Sequence, residues 1–186
     1  MAILSSASHP LRAIFWLLCV TQAGTPLGLA SAAEQPAEYQ VKAAFLLNFT
    51  KFIQWPPKAF ADEHSPFTIC VMGDDPVGDA LHDMVRGETV NGRSLAVKKI
   101  RRAPPRAACQ VVFIPKSEKD APAVIAVLGA GVLTVGEENS FLHEGGTLAF
   151  VIENRRVRFD VNINAATNAM LTISSRLLSV ARTVER

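Results

Sequence analysis

FTICVMGDDPVGDALHDMV, residues 67–85, decides the fold class. Phe67 to Met72 is a short β-favouring run that ends in Gly73-Asp74-Asp75-Pro76, a turn signal. Asp75 is placed to cap a helix, and Pro76 suits the first helical position, where its missing N–H is no loss. A helix over Val77 to Val85 is expected to follow. Beyond it, Gly87 and Asn91-Gly92 mark turns and Leu95 to Ile100 reads as a second strand. Gln110 to Ile114 reads as a strand buried on both faces, Lys119 to Leu128 as a helix, and Val132 to Val135 as another strand. Thr147 to Glu153 and Val157 to Val161, joined at Asn154-Arg155-Arg156, form a hairpin pattern. Asn164 is placed to cap a last helix over Ala165 to Val184. Strands alternating with helices indicate a single-domain α/β sandwich, a mainly parallel sheet flanked by helices with a late β-hairpin.

On the other side lies YQVKAAFLLNFTKFIQWPP, residues 39–57. A helix from Ala37 to Ile53 fits between Pro36 and the stop at Pro56-Pro57. Val41, Ala44, Phe45, Phe49, Phe52 and Ile53 share one face, and Leu46 and Leu47 widen it. A helix so broadly apolar is buried on most sides or lies at an interface.

Residues 1–32 read as a cleaved secretory leader, and residues 33–186 as one domain. Ala13 to Ala23 is apolar but too short to span a bilayer, and Ala30-Ser31-Ala32 supplies the small-x-small pattern of a cleavage site. Val20, Thr21 and Gln22 after Cys19 do not continue a lipoprotein box. The expected location is the periplasm. Losing Arg12 with the leader leaves 18 basic against 17 acidic residues, a balance that suggests neither nucleic acid nor an anionic membrane. Two cysteines remain, Cys70 and Cys109. Outside the cytosol they have one intramolecular pairing available; the alternative is two buried free thiols.

Catalytic patterns are missing. The histidines, at 9, 64, 82 and 143, are scattered, and neither mature cysteine has a CxxC partner, so no metal site is expected. No GxSxG elbow, P-loop or HExxH occurs. Gly129-Ala130-Gly131 follows a helix and precedes a strand, the reverse of a dinucleotide loop, and no cofactor is expected. Asp74 and Asp75, with Glu137, stand where strands of an open α/β sheet end, the edge at which ligands bind. They are candidates for holding a small ligand or for acid–base work, although Asp75 is equally explained as a cap. Lys98, Lys99, Arg101, Arg102 and Arg106 form a basic run that reads as a guarded sheet edge or an anion patch. On the last helix, Ala166, Met170, Ile173, Leu177, Val180 and Val184 make a core stripe, with a second apolar track through Leu171 and Leu178.

EYQVKAAFLLNFTKFIQWP at 38–56, ICVMGDDPVG at 69–78, VNGRSLAV at 90–97, CQVVFI at 109–114, LTVGE at 133–137 and GGTLAFVIENRRVRFDVNINAATNAMLTISSRLL at 145–178 resemble the YfiR-like family of small periplasmic proteins. The resemblance covers nearly the whole mature chain. It implies a non-catalytic α/β protein that dimerises and restrains an inner-membrane diguanylate cyclase by binding the cyclase's periplasmic sensory domain. It further implies sequestration by an outer-membrane, peptidoglycan-binding lipoprotein, which raises cyclic di-GMP and promotes biofilm. By position, Cys70 and Cys109 match the family's structural cysteine pair. The region expected to face partners supplies Arg158, Asp160, Asn162 and Asn164, then Leu171, Arg176 and Leu178 from the last helix. A small-molecule or redox sensor without a cyclase partner is the other class to weigh.

Overall fold

The computed structural model describes residues 30–186, with side chains from residue 38 onward. The expected leader, residues 1–32, lies outside the described residues except for 30–32, which open the first helix. That helix, α1 (Ala30–Phe52), is longer than expected: it runs through Pro36 and ends one residue short of Ile53. Proline blocks only the bond to the residue four before it, and Pro36 stands in the first two turns, where that loss is small. Ile53–Gln54 then form a short strand, β1, and Pro57–Ala59 a 3₁₀ turn.

The unit read first holds. β2 (Phe67–Met72) is buried at every position, and the Asp75 carboxylate accepts a hydrogen bond from the Val77 N–H at 2.9 Å to cap α2 (Pro76–Met84). β3 (Thr89–Val90) and β4 (Arg93–Ile100) meet through Asn91-Gly92, both at positive φ as a tight two-residue hairpin needs. After β5 (Val111–Phe113) come α3 (Ala121–Val127), β6 (Leu133–Glu137) and α4 (Ser140–His143). The late hairpin is β7 (Leu148–Glu153) with β8 (Arg156–Asn162), turning at Asn154-Arg155, again both at positive φ.

The last stretch departs from the expected long helix. It breaks into α5 (Ile163–Asn168), β9 (Thr172–Ile173), α6 (Ser175–Val180) and β10 (Thr183–Glu185). The cap of α5 is Asn162, whose Oδ1 accepts from the Ala165 N–H at 2.9 Å, two residues earlier than expected. Met170 then takes a left-handed φ of 57°, while the Leu171 N–H reaches the Ala166 carbonyl and the Met170 N–H the Thr167 carbonyl. This is a Schellman stop made without glycine. Thr172 and Ile173, β-branched and poor in helices, pair with Gln54 and Ile53 of β1 instead. Ser174 restarts the chain by capping α6. The expected core stripe fails with the helix: Met170 and Val180 are exposed, and Leu171 is buried.

β10-β8-β7-β6-β5-β2-β4-β3 is the order of the main sheet, parallel except for β7 with β8 and β3 with β4. Side chains alternate across it. Ile69, Val71, Val111 and Phe113 pack under α1 and α2, whereas Cys70, Met72, Val112 and Ile114 face the layer of α3 and α4. Under α1, Phe45 and Phe49 mesh with Phe150 and Phe159, Phe49 meeting Phe159 edge-on at 5.1 Å between centroids. Val41 and Phe52, expected within that face, are partly exposed at 42% and 37%, because the sheet covers only the middle of α1. On the other face the Phe141 ring lies against Gly136 and Gly146; a Cβ on either would come within 2.3 Å of it. That close approach sets α4 directly behind the end of β6.

Candidate functional site

β2 leads to β4 on one side and β5 lies on its other side, so the connections leaving the carboxyl ends of β2 and β5 diverge. In an open sheet this switch point forms a crevice suited to ligands. Glu137, the last residue of β6, stands beside it, and α1 lays Glu38 and Lys42 across the opening. Lys42 is only 4% exposed. Its ammonium donates to Glu137 at 2.5 Å and to Glu38 one turn away, while the second Glu137 oxygen accepts from the Lys116 N–H at 2.8 Å. Burial alone would pull the lysine pKa down, yet the two carboxylates outweigh it and hold it above the usual lysine value. A cleft of about 390 Å³ lies beside this node, with Lys116, Asn139 and Arg182 on its far wall.

The expected trio of carboxylates does not assemble. Asp74 points outward to Lys99 at 2.8 Å, which holds its carboxyl below the usual range. Lys99 also reaches Asp79 at 3.1 Å. Asp75 faces the crevice side, where burial first, and then the Glu137 charge, push its pKa above the ordinary aspartate value against the Val77 N–H and Lys42. A carboxyl with a raised native pKa contributes stability below its unfolded pKa near 3.9 and loses it as pH rises through the native value. Asp75→Asn keeps the cap but removes the charge. It is therefore expected to be as stable as the parent or more so at pH 7, with the advantage gone in acid. Chemical denaturation at both pH values checks this; a loss above about 1 kcal/mol at pH 7 would show that the charge itself is needed. Glu137 has both oxygens engaged. Among the described residues no three His, Cys, Asp or Glu gather to hold a metal ion.

The residues expected to meet partners do not form one patch. Arg158 is exposed on β8, but alternation turns Asp160 to a buried position, 1% exposed, where Arg182 grips it with Nε at 2.8 Å and with Nη2. Asn162 is spent on capping α5, Asn164 is exposed on α5, and Arg176 is exposed on α6. Leu171 forms the floor and Leu178 part of the wall of a shallow depression of about 570 Å³, whose rim carries Ile163, Met170, Ile173 and Arg186. Met170 is 57% exposed there, in a backbone conformation that favours glycine or asparagine. The sequence reading passed over three residues that matter at these two places, Lys42, Arg182 and Met170. A lysine inside an otherwise apolar helix face was the one available signal for Lys42.

Cys70 and Cys109 are joined by a disulfide, with Cα atoms 5.9 Å apart and 39 positions between them in sequence. Both are buried on the α3–α4 face, so the bond ties β2 to the chain entering β5. The free-thiol alternative does not hold in this structure.

The sequence model of the family described as YfiR/HmsC-like matches residues 39–182, more than three quarters of the chain, from within α1 to just past α6. No curated protein matches the sequence.

Proposed function

We propose, from the premise that this chain belongs to the YfiR/HmsC-like family, that it is a periplasmic binding protein that represses an inner-membrane diguanylate cyclase by holding the cyclase's periplasmic sensor domain. The family match across nearly every element is the observation that carries this reading. The family is one of periplasmic, non-catalytic regulators of diguanylate cyclase signalling. Two features of the molecule agree with a docking role. Among the described residues no helix is long and apolar enough to cross a membrane, so α1 and its apolar faces are available for packing and contact. The depression around Met170 offers exposed apolar surface next to Arg186 and near Arg176. An outer-membrane lipoprotein that sequesters the protein, and self-association into a dimer, complete the proposed circuit.

Deleting the gene is expected to raise cyclic di-GMP and surface attachment, and the wild-type gene supplied in trans is expected to restore both. Met170→Gly separates docking from folding. Glycine relieves the left-handed backbone, so stability is expected to stay level or rise by up to about 1 kcal/mol. Complementation is nevertheless expected to fail, because the exposed side chain is gone. Unchanged cyclic di-GMP on deletion would sink the repressor reading; full complementation by Met170→Gly would move the docking surface elsewhere.

The second reading, a small-molecule or redox sensor, rests on the crevice at the switch point, where a buried cation and several polar groups converge without a catalytic pair.

A further inference from the structure

The aromatic layer under α1 is closed at one end and open at the other. Phe45 meets Phe150 at 6.0 Å and Phe159 at 5.5 Å between centroids, but the layer then runs out into a cleft of about 640 Å³ between α1 and the β7–β8 hairpin. Val41, Phe45, Ile152 and Val157 line it, and Arg155, Arg156 and Glu38 stand on its rim. Ile152 and Val157 are paired across the two strands, so their side chains share the face turned to α1. Ile152 is 55% exposed and Val41 42%, although both point into the same recess. Folding leaves this end of the core unfilled.

The rim is cationic. Glu38 is already engaged by Lys42, and Arg156 is exposed with no carboxylate partner among the described residues. Arg155 holds the second position of the hairpin turn at φ 61°, where glycine is the favoured residue. An arginine kept at such a turn sets two guanidinium groups side by side at the mouth of an apolar recess. A recessed cleft of this size accepts one inserted side chain, a poorer match to a flat bilayer than to a protein segment.

We infer that this cleft is a docking site for an acidic amphipathic segment of another protein, which inserts an aliphatic or aromatic side chain against Val41, Ile152 and Val157 and sets carboxylates on Arg155 and Arg156. This surface lies apart from the Met170 depression, and its test needs no cyclase.

The probe is a fluorescein-labelled synthetic amphipathic peptide with leucine and one tryptophan on one face and glutamate on the other, beside a twin with lysine for glutamate. Anisotropy with the protein purified from the periplasm is expected to show saturable binding of the glutamate peptide only. Ile152→Asp is expected to weaken it by about tenfold or more. Arg156→Glu is expected to weaken the glutamate peptide and to confer binding of the lysine twin. Melting curves of both variants are expected to match the parent, since each side chain is exposed. No saturable binding, equal affinity for the two peptides, or indifference to Ile152→Asp overturns the proposal. Sedimentation that shows a dimer dissolved by Ile152→Asp would assign the cleft to a second copy and overturn it as well.

Discussion

Replacing Lys42 with methionine is expected to lower the free energy of unfolding by about 3–5 kcal/mol, the usual cost of removing one partner from a buried charge pair. Methionine matches the aliphatic stem of lysine, so packing against α1 and the sheet survives and the loss reports the charge. Without the ammonium, Glu137, whose side chain is 13% exposed, keeps only the Lys116 N–H, and Glu38, 32% exposed, is left to water. The greater exposure of Glu38 puts the expected loss toward the lower end. The sign of the pH dependence follows from the raised lysine pKa. The ion pair contributes in full below the unfolded lysine pKa near 10.4 and fades as pH rises through the higher native value. Wild-type protein should therefore lose stability above about pH 10.5, and Lys42→Met should show no such loss in that window. The double variant Lys42→Met with Glu137→Gln is expected to recover much of the deficit, since a neutral pair carries no unpaid desolvation. A single variant within about 1 kcal/mol of wild type would mean that water already compensates these carboxylates.

Removing the disulfide is the second large effect. Cys70 and Cys109 are 39 positions apart, and releasing a loop of that length frees denatured-chain entropy worth about 4 kcal/mol. In a protein of this size that corresponds to a melting temperature lower by roughly 10 °C. Cys70→Ala with Cys109→Ala is the appropriate variant, because serine would bury two hydroxyls in an apolar layer lined by Val112, Ile114 and Phe141. Reductant on the wild type should reproduce the shift and leave the variant unmoved. Titration of two free thiols in native, unreduced protein would contradict the bond. A shift below about 1 kcal/mol would show that β2 and β5, already joined by their ladder, retain proximity in the denatured chain.

The strand, cap and helix around Asp75 were legible because every signal there is local: β-favouring residues, an aspartate two positions before Val77, and a proline that tolerates only a first turn. The late hairpin was legible for the same reason. The terminal segment was not. Its apolar spacing fits a helix, and the stop at Met170 uses neither glycine nor proline. Thr172 and Ile173 become a strand only because β1, more than a hundred residues earlier, offers them a partner. Position along a strand likewise said that Arg158 and Asp160 share a face, but not that Arg182 would bury one of them. The charged node at Lys42 depends on Glu137, 95 positions away, and such pairings leave no trace in local spacing.

That distance has a consequence for biogenesis. A polypeptide threaded through a translocation channel emerges amino end first. Its leading helix would arrive with a lysine that has no long-range counter-ion until β6 has cleared the pore. The same helix packs on β8, which emerges later still. Contacts of such long range slow the search for the native state. The architecture therefore postpones closure until most of the chain is across, which keeps the nascent protein extended while the export machinery still needs to move it.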